Sequence, residues 1–287
     1  MQIYGFYLKE KNDFEYSGLY TEWKVPEHLA LDSPELEKQI AEAGNEIGFI
    51  FPVFDVADSH DVALIERVGK LLEKQDTPSV VMALNVPLLD KKTWETMNAS
   101  LCKAFDAVVD VSRICAKGRA TPSEGVSAVI EGIGHMLERP GLVGLDFDDV
   151  CSLVRGAGNM YVGWGYMPTD RPDDVRRTKT AAEIALSMIS SQLPTDDPEK
   201  VRHAKTVKEI IDATIAAKVG DMREIRRVLF CAEDNSPTAA IVDVTESVDM
   251  VDRIVDDAQI VFSVRFEDSL PSRIIMLAST NPLSQSS

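Results

Sequence analysis

The chain is poor in the residues on which most recognisable site chemistry depends. Four histidines and four cysteines occur in 287 residues. His28, His60, His135 and His203 are scattered, and none has a second His or a Cys at ligand spacing on its own helix, so no metal centre is expected. Cys102, Cys115, Cys151 and Cys231 match no zinc spacing and read as reduced, mostly buried thiols of a cytoplasmic protein. No run of about 18 apolar residues exists, so no membrane insertion is expected. Positive charge is scarce: Lys+Arg 30 against Asp+Glu 47 leaves a formal charge of −17. Such a surface repels a phosphate backbone, and no basic patch offsets it, so nucleic-acid binding is not expected. Glycine-rich signatures are missing too. There is no P-loop, no G-x-G-x-x-G after a strand and no G-x-S-x-G elbow. The opening MQIYG reads as a strand and not as a signal peptide.

What remains is an ordinary globular composition, 45% hydrophobic and 27% charged, with length for two domains. The first half alternates strand and helix. Strands are expected at 2–8, 47–56 (IGFIFPVFDV, a continuous apolar run), 80–84 and 107–111, and helices at 59–75 and 91–105. Val62, Ile65, Val68 and Leu72 line one face of the first of these helices. Pro122 opens a further helix with Val126, Ile130, Ile133 and Leu137 inward, stopped by Pro140-Gly141. The order predicts an α/β fold with a parallel, Rossmann-like sheet in residues 1–121, then a central helix over 122–140. Residues 141–287 read as a smaller α+β domain, the boundary falling near 139–145. It has helices at 147–155, 173–189 and 238–257, and strands at 160–166 and 227–232. Two adjacent antiparallel strands, 260–266 and 273–279, are expected to close the chain. Residues 191–224 form an extra segment, with a helix over 199–218 carrying Val201, Ala204, Ile211 and Ile215 on one stripe. It is either a packing helix or a partner-binding one.

Two acidic features stand out. Asp146 and Asp149 are three apart at a helix start, so both project from its first turn. That spacing suits a water-polarising or cation-binding pair, and equally an ordinary helix cap. Glu124 sits in the first turn of the central helix, where a carboxylate favours the positive helix end. The glycines of Gly132-Ile-Gly134 and Gly163-Trp-Gly165 open no phosphate loop; helix packing and sheet bending explain them equally well.

The stretch RPGLVGLDFDDV (139–150) resembles the RPGLINVDFADV stretch of FtsZ, the tubulin-like cell-division GTPase. GNMYVGWG (158–165) is similar to the family's GYAMMGSG strand, and DDVRRTKTAAEIALSMISS (173–191) to the helix that follows it. The likeness is specific over 131–191 and only topological elsewhere. It implies a nucleotide domain, a long central helix and a smaller second domain, in a cytoskeletal protein that assembles head to tail. It also implies that Asp146 and Asp149 form a catalytic loop donated to a neighbouring subunit, with Gly144 where the family has Asn. Glu124 falls at the position that contacts guanine.

The departures lie at the phosphates. The first strand is followed by KEKNDFEYS (9–17), and the place of the family's GGGTGTG loop is held by PVFDVADSHD (52–61), without a glycine in either. Backbone N–H groups cradle phosphates only where the chain can approach closely, which glycine permits. Asp55, Asp58 and Asp61 add charge of the wrong sign; a carboxylate about 4 Å from a phosphate costs about 4 kcal/mol at an effective dielectric near 20. The expectation is an FtsZ-like pseudo-GTPase without a cofactor. It would act on FtsZ or a related subunit, or on its own copies, and any enzymatic role would lie in the donated loop. The alternatives are a divergent GTPase that still binds GTP, and an unrelated α/β small-molecule enzyme.

Overall fold

The computed structural model describes residues 2–11, 15–24, 38, 47–73, 77–116, 120–138, 145–167, 177–193, 222–235, 241–255, 257–266 and 272–281. In chain order the elements are β1 (Gln2–Lys11), β2 (Glu15–Lys24), β3 (Ile47–Asp55), α1 (Ser59–Leu72), β4 (Val80–Leu84), α2 (Lys91–Ala104) and β5 (Ala107–Asp110). A single turn, α3 (Val111–Ile114), leads to the central helix α4 (Pro122–Glu138), then α5 (Phe147–Val154) and β6 (Gly158–Tyr166). The remainder is α6 (Arg177–Ser190), β7 (Arg227–Asp234), α7 (Ile241–Val255), β8 (Gln259–Phe266) and β9 (Arg273–Ser279).

The nine described strands form one mixed sheet in the order β2-β1-β3-β4-β5-β6-β9-β7-β8. The expected parallel run is present from β3 to β6. β1 departs from it: it is antiparallel to β3 and forms a hairpin with β2, a strand the sequence reading did not anticipate. Residues 12–14 alone separate β1 from β2, too few for the crossover that parallel strands require. The closing pair is also different. β9 enters between β6 and β7, antiparallel to both, while β8 lies at the edge, parallel to β7, so β8 and β9 are not neighbours. Apolar registry explains this, because Ile275 and Leu277 of β9 meet Cys231 and Leu229 of β7 inside a core that β8 only borders. Helix C-terminal ends differ by one to three residues at α1, α6 and α7, and the expected starts at 173 and 238 lie outside the described residues. β5 ends one residue early because Asp110 caps α3, accepting the Arg113 N–H at 3.3 Å. The expected helix over 199–218 lies outside the described residues.

The apolar side chains of the described residues fall into three clusters. One lies under α3, α4 and α5 and is continuous along the sheet, from Phe49 and Phe51 of β3 to Leu229 of β7 and Leu277 of β9. On the opposite face are two separate clusters, one between α1, α2 and the strands β3–β5, the other between α6, α7 and β6–β9. The two halves therefore share a core on the α4 side only. The sheet itself narrows between them, because β5 and β6 pair only through Ala107 with Gly158 and Val108 with Asn159. Beyond that point Gln192, 3% exposed, substitutes for a strand. Its side-chain oxygen accepts the Val162 N–H at 3.1 Å, and its Nε2 donates to the Val162 carbonyl at 2.5 Å.

α6 rests directly on the backbone of β6. A Cβ at Gly163 would sit 2.9 Å from the carbonyl carbon of Ala185, with the carbonyl oxygen closer still, and Gly165 stands in the same relation to Ala181. Of the two readings open for this glycine pair, helix packing is the one the structure bears out.

Candidate functional site

The sequence-predicted site residues sit at three helix starts. In the first, the turn from β3 into α1, Asp55 accepts the Ala57 N–H at 2.9 Å and the side-chain amide of Asn85 at 2.7 Å. Asp58 accepts the N–H groups of His60 at 2.8 Å and Asp61 at 3.4 Å, and Asp61 accepts that of Asp55 at 3.0 Å. The N–H groups of Val56, Asp58 and Val62 donate to backbone carbonyls. Seven of the eight N–H groups from Asp55 to Val62, all but that of Ser59, thus donate within the chain. Asp55, Asp58 and Asp61 take four of these donors, in the place where a phosphate-binding turn keeps its own for a ligand.

The second start is that of α4. Glu124 accepts from the Thr121 N–H at 2.7 Å and its hydroxyl at 2.9 Å, while the Glu124 N–H donates to the Thr121 hydroxyl at 3.3 Å, a reciprocal capping box. These bonds hold the exposed carboxyl below its usual range. The third is α5, where Asp149 N–H donates to Asp146 at 2.7 Å and Asp146 N–H to Asp149 at 3.3 Å. Each of the two exposed carboxylates uses one oxygen in this box and keeps the other for solvent or a ligand. Asp146 and Asp149 are brought together as the spacing implied; Glu124 is not with them.

Their placement on the sheet is informative. Phe147, next to Asp146, packs edge-on against Phe49 near the start of β3, with ring centroids 5.5 Å apart. Asp55 ends the same strand six residues later, about 20 Å away at strand rise. The α5 pair and the aspartates of the β3–α1 turn therefore occupy opposite edges of the sheet along the strand direction, one at each end of β3.

A fourth group was not anticipated. Tyr166, Arg273, Glu233 and Arg265 fall in one register row across β6, β9, β7 and β8. Arg273 donates from Nε to Glu233 and from Nη2 to Glu131 of α4, both at 2.6 Å, with Glu233 fully buried. The two carboxylates raise the guanidinium's pKa against the opposing effect of burial. In the sequence these residues are only charges at strand ends, and their alignment depends on the order β6-β9-β7-β8. All four cysteines are free; Cys151 and Cys231 are buried, Cys102 and Cys115 half-buried. Among the described residues no group of His, Cys, Asp or Glu is arranged to hold a metal, and no helix is long and apolar enough to cross a membrane.

An α/β sheet crossed by a long central helix, with further helices on both faces, is an FtsZ/tubulin-like architecture. Solved structures bear this out. FtsZ from M. jannaschii (the W319Y mutant) superposes with a TM-score of 0.60 at 17% identity, over 86% of this chain and 70% of that one. CetZ2 from Haloferax volcanii, in a GTPγS-bound protofilament, gives a TM-score of 0.53 at 17% identity, covering 89% and 72%. TubZ from Bacillus thuringiensis serovar israelensis, also a GTPγS-form protofilament, gives 0.52 at 11% identity over 91% and 74%. No family model and no curated protein matches the sequence. The fold is FtsZ/tubulin-like.

Proposed function

We propose that this is an FtsZ-like protein that has lost GTP binding and acts through contacts with other subunits, capping or modulating filaments of FtsZ or of a related chain. The observation that carries this reading is the β3–α1 turn. Its backbone donors are committed to Asp55, Asp58, Asp61 and nearby carbonyls, and its three carboxylates oppose a polyphosphate. The edge bearing Asp146 and Asp149 keeps exposed carboxylate oxygens that can meet a neighbour. Head-to-tail filaments join one edge of a subunit to the opposite edge of the next. A subunit competent at one edge alone adds to a filament end and stops its growth there. On this reading Asp146 and Asp149 approach the neighbour's nucleotide, and Glu124 is a vestige of a guanine contact that now serves as a cap.

Isothermal titration with GTP and GDP tests the first half: no binding is expected, and a Kd below about 10 μM, near −7 kcal/mol, refutes it. Sedimentation of FtsZ filaments tests the second. Substoichiometric protein is expected to shorten them, and the Asp146→Ala, Asp149→Ala double variant, shown folded by circular dichroism, to relieve the effect. If that variant shortens filaments as well as the parent, the carboxylates are helix caps only.

A further inference from the structure

On the α4 side of the sheet a cavity of about 180 Å³ opens between the first half of α4 and the ends of β6 and β9. Its volume is below the range usual for drug-sized ligands, about 300–1,000 Å³, so it suits a single head group. Trp164 and Tyr166 are two apart on β6 and thus share the face that lines it, Tyr166 being 58% exposed. Glu124, Glu131 and Arg273 supply the charge. Arg273 is already committed to Glu131 and Glu233, so it has little left to offer an anion. Glu131 is the less buried partner, 35% exposed at its side chain, and only its Oε2 is engaged by Arg273. On the lining itself, Glu124 and Glu131 against Arg273 leave one negative charge. The positive end of α4, about half a charge, offsets only part of this. Aromatic faces beside unpaired carboxylate oxygen are the chemistry that recognises organic cations.

We propose that this cavity binds a guanidinium or primary ammonium group. The group is carried either by a small free cation or by an Arg or Lys side chain of a second copy of this chain. The site is separate from the β3–α1 turn, and it rests on the reading that Glu124 no longer contacts guanine; agmatine binding and the absence of GTP binding are measured independently.

Agmatine, which carries both head groups, is the probe, titrated calorimetrically into the full chain. Saturable one-to-one binding with a change in Trp164 fluorescence is expected, weakened about tenfold by Glu131→Gln and by Trp164→Phe. Because Glu131→Gln also removes an ion pair to Arg273, Glu124→Gln at the exposed rim serves as the second variant and is expected to weaken binding while the fold persists. Sedimentation velocity separates the sources: agmatine that dissociates a self-associated form assigns the pocket to a partner's Arg or Lys, and binding without that effect assigns it to a free cation. The proposal is overturned if no saturable binding occurs up to about 10 mM. It is equally overturned if uncharged butylurea binds as well as agmatine, or if folded Glu124→Gln and Trp164→Phe proteins bind agmatine as the parent does.

Discussion

Replacing Gly163 by alanine tests the seating of α6 on β6. The added methyl group meets the Ala185 carbonyl, whose carbon lies at 2.9 Å and whose Cα lies at 3.2 Å, both inside ordinary carbon contact distance. Neither side can yield by changing a rotamer, because the obstacle is helix backbone and the bearer is strand backbone. α6 must therefore retreat by about 1 Å, and a gap of that size forfeits about a quarter to a half of the dispersion between the layers it separates. Ala181, Ala182, Ala185, Leu186 and Ile189 all bury themselves in that interface. Overpacking costs about 1–3 kcal/mol where side chains can adjust, and this contact belongs at the upper end, about 3 kcal/mol. Gly165→Ala should cost a similar amount against Ala181. Because one retreat of α6 relieves both clashes, the double variant should cost clearly less than the sum. Urea unfolding followed by circular dichroism measures all three. The midpoint should fall with little change in slope. A loss below about 0.5 kcal/mol for Gly163→Ala, the level of an ordinary surface change, would refute direct seating of helix on strand. Full additivity would refute the shared retreat.

Gln192→Ala should cost about 3 kcal/mol by urea unfolding and speed hydrogen exchange at the Val162 amide, since it strips partners from a buried N–H and a buried carbonyl worth about 1–3 kcal/mol each. Asp146→Ala should lower stability by about 1 kcal/mol through loss of the α5 cap, and Asp149→Ala by a similar amount, both readable as a fall in the thermal midpoint. Burial pushes the Cys151 thiol up to about 12 and raises those of Cys231, Cys102 and Cys115 as well. At pH 8 a disulfide reagent should therefore label the folded protein slowly and release four equivalents only in denaturant; rapid native labelling of Cys151 or Cys231 would contradict their burial.

The parts of the fold legible in the sequence are those decided locally. β3 and β4 announce themselves as unbroken apolar runs because both of their faces are covered. The caps at Asp146/Asp149 and Thr121/Glu124 follow from spacing alone, since donor and acceptor lie within one turn. β2, EYSGLYTEWK, carries charge and small residues among its aromatics, and a reader expecting a parallel sheet passes over it. The placement of β9 was not legible, because Pro271 suggests a local hairpin while the strand is claimed by partners 40 or more residues earlier. Arg273, Glu233 and Glu131 become a site only once that placement aligns them. The role of Gln192 is hidden likewise, a loop-like residue whose amide bonds 30 residues back along the chain.

The uneven distribution of the three apolar clusters makes the two faces of the sheet unequal in what separating the halves would expose. Along the α4 face the interior is unbroken, and separating the halves there would expose it; on the other face the interior is already divided, with Gln192 among the few ties across the division. α4, with Glu124 in its first turn and Glu131 midway along its length, lies on the unbroken face, and the Glu131–Arg273 ion pair ties it to β9 of the second half.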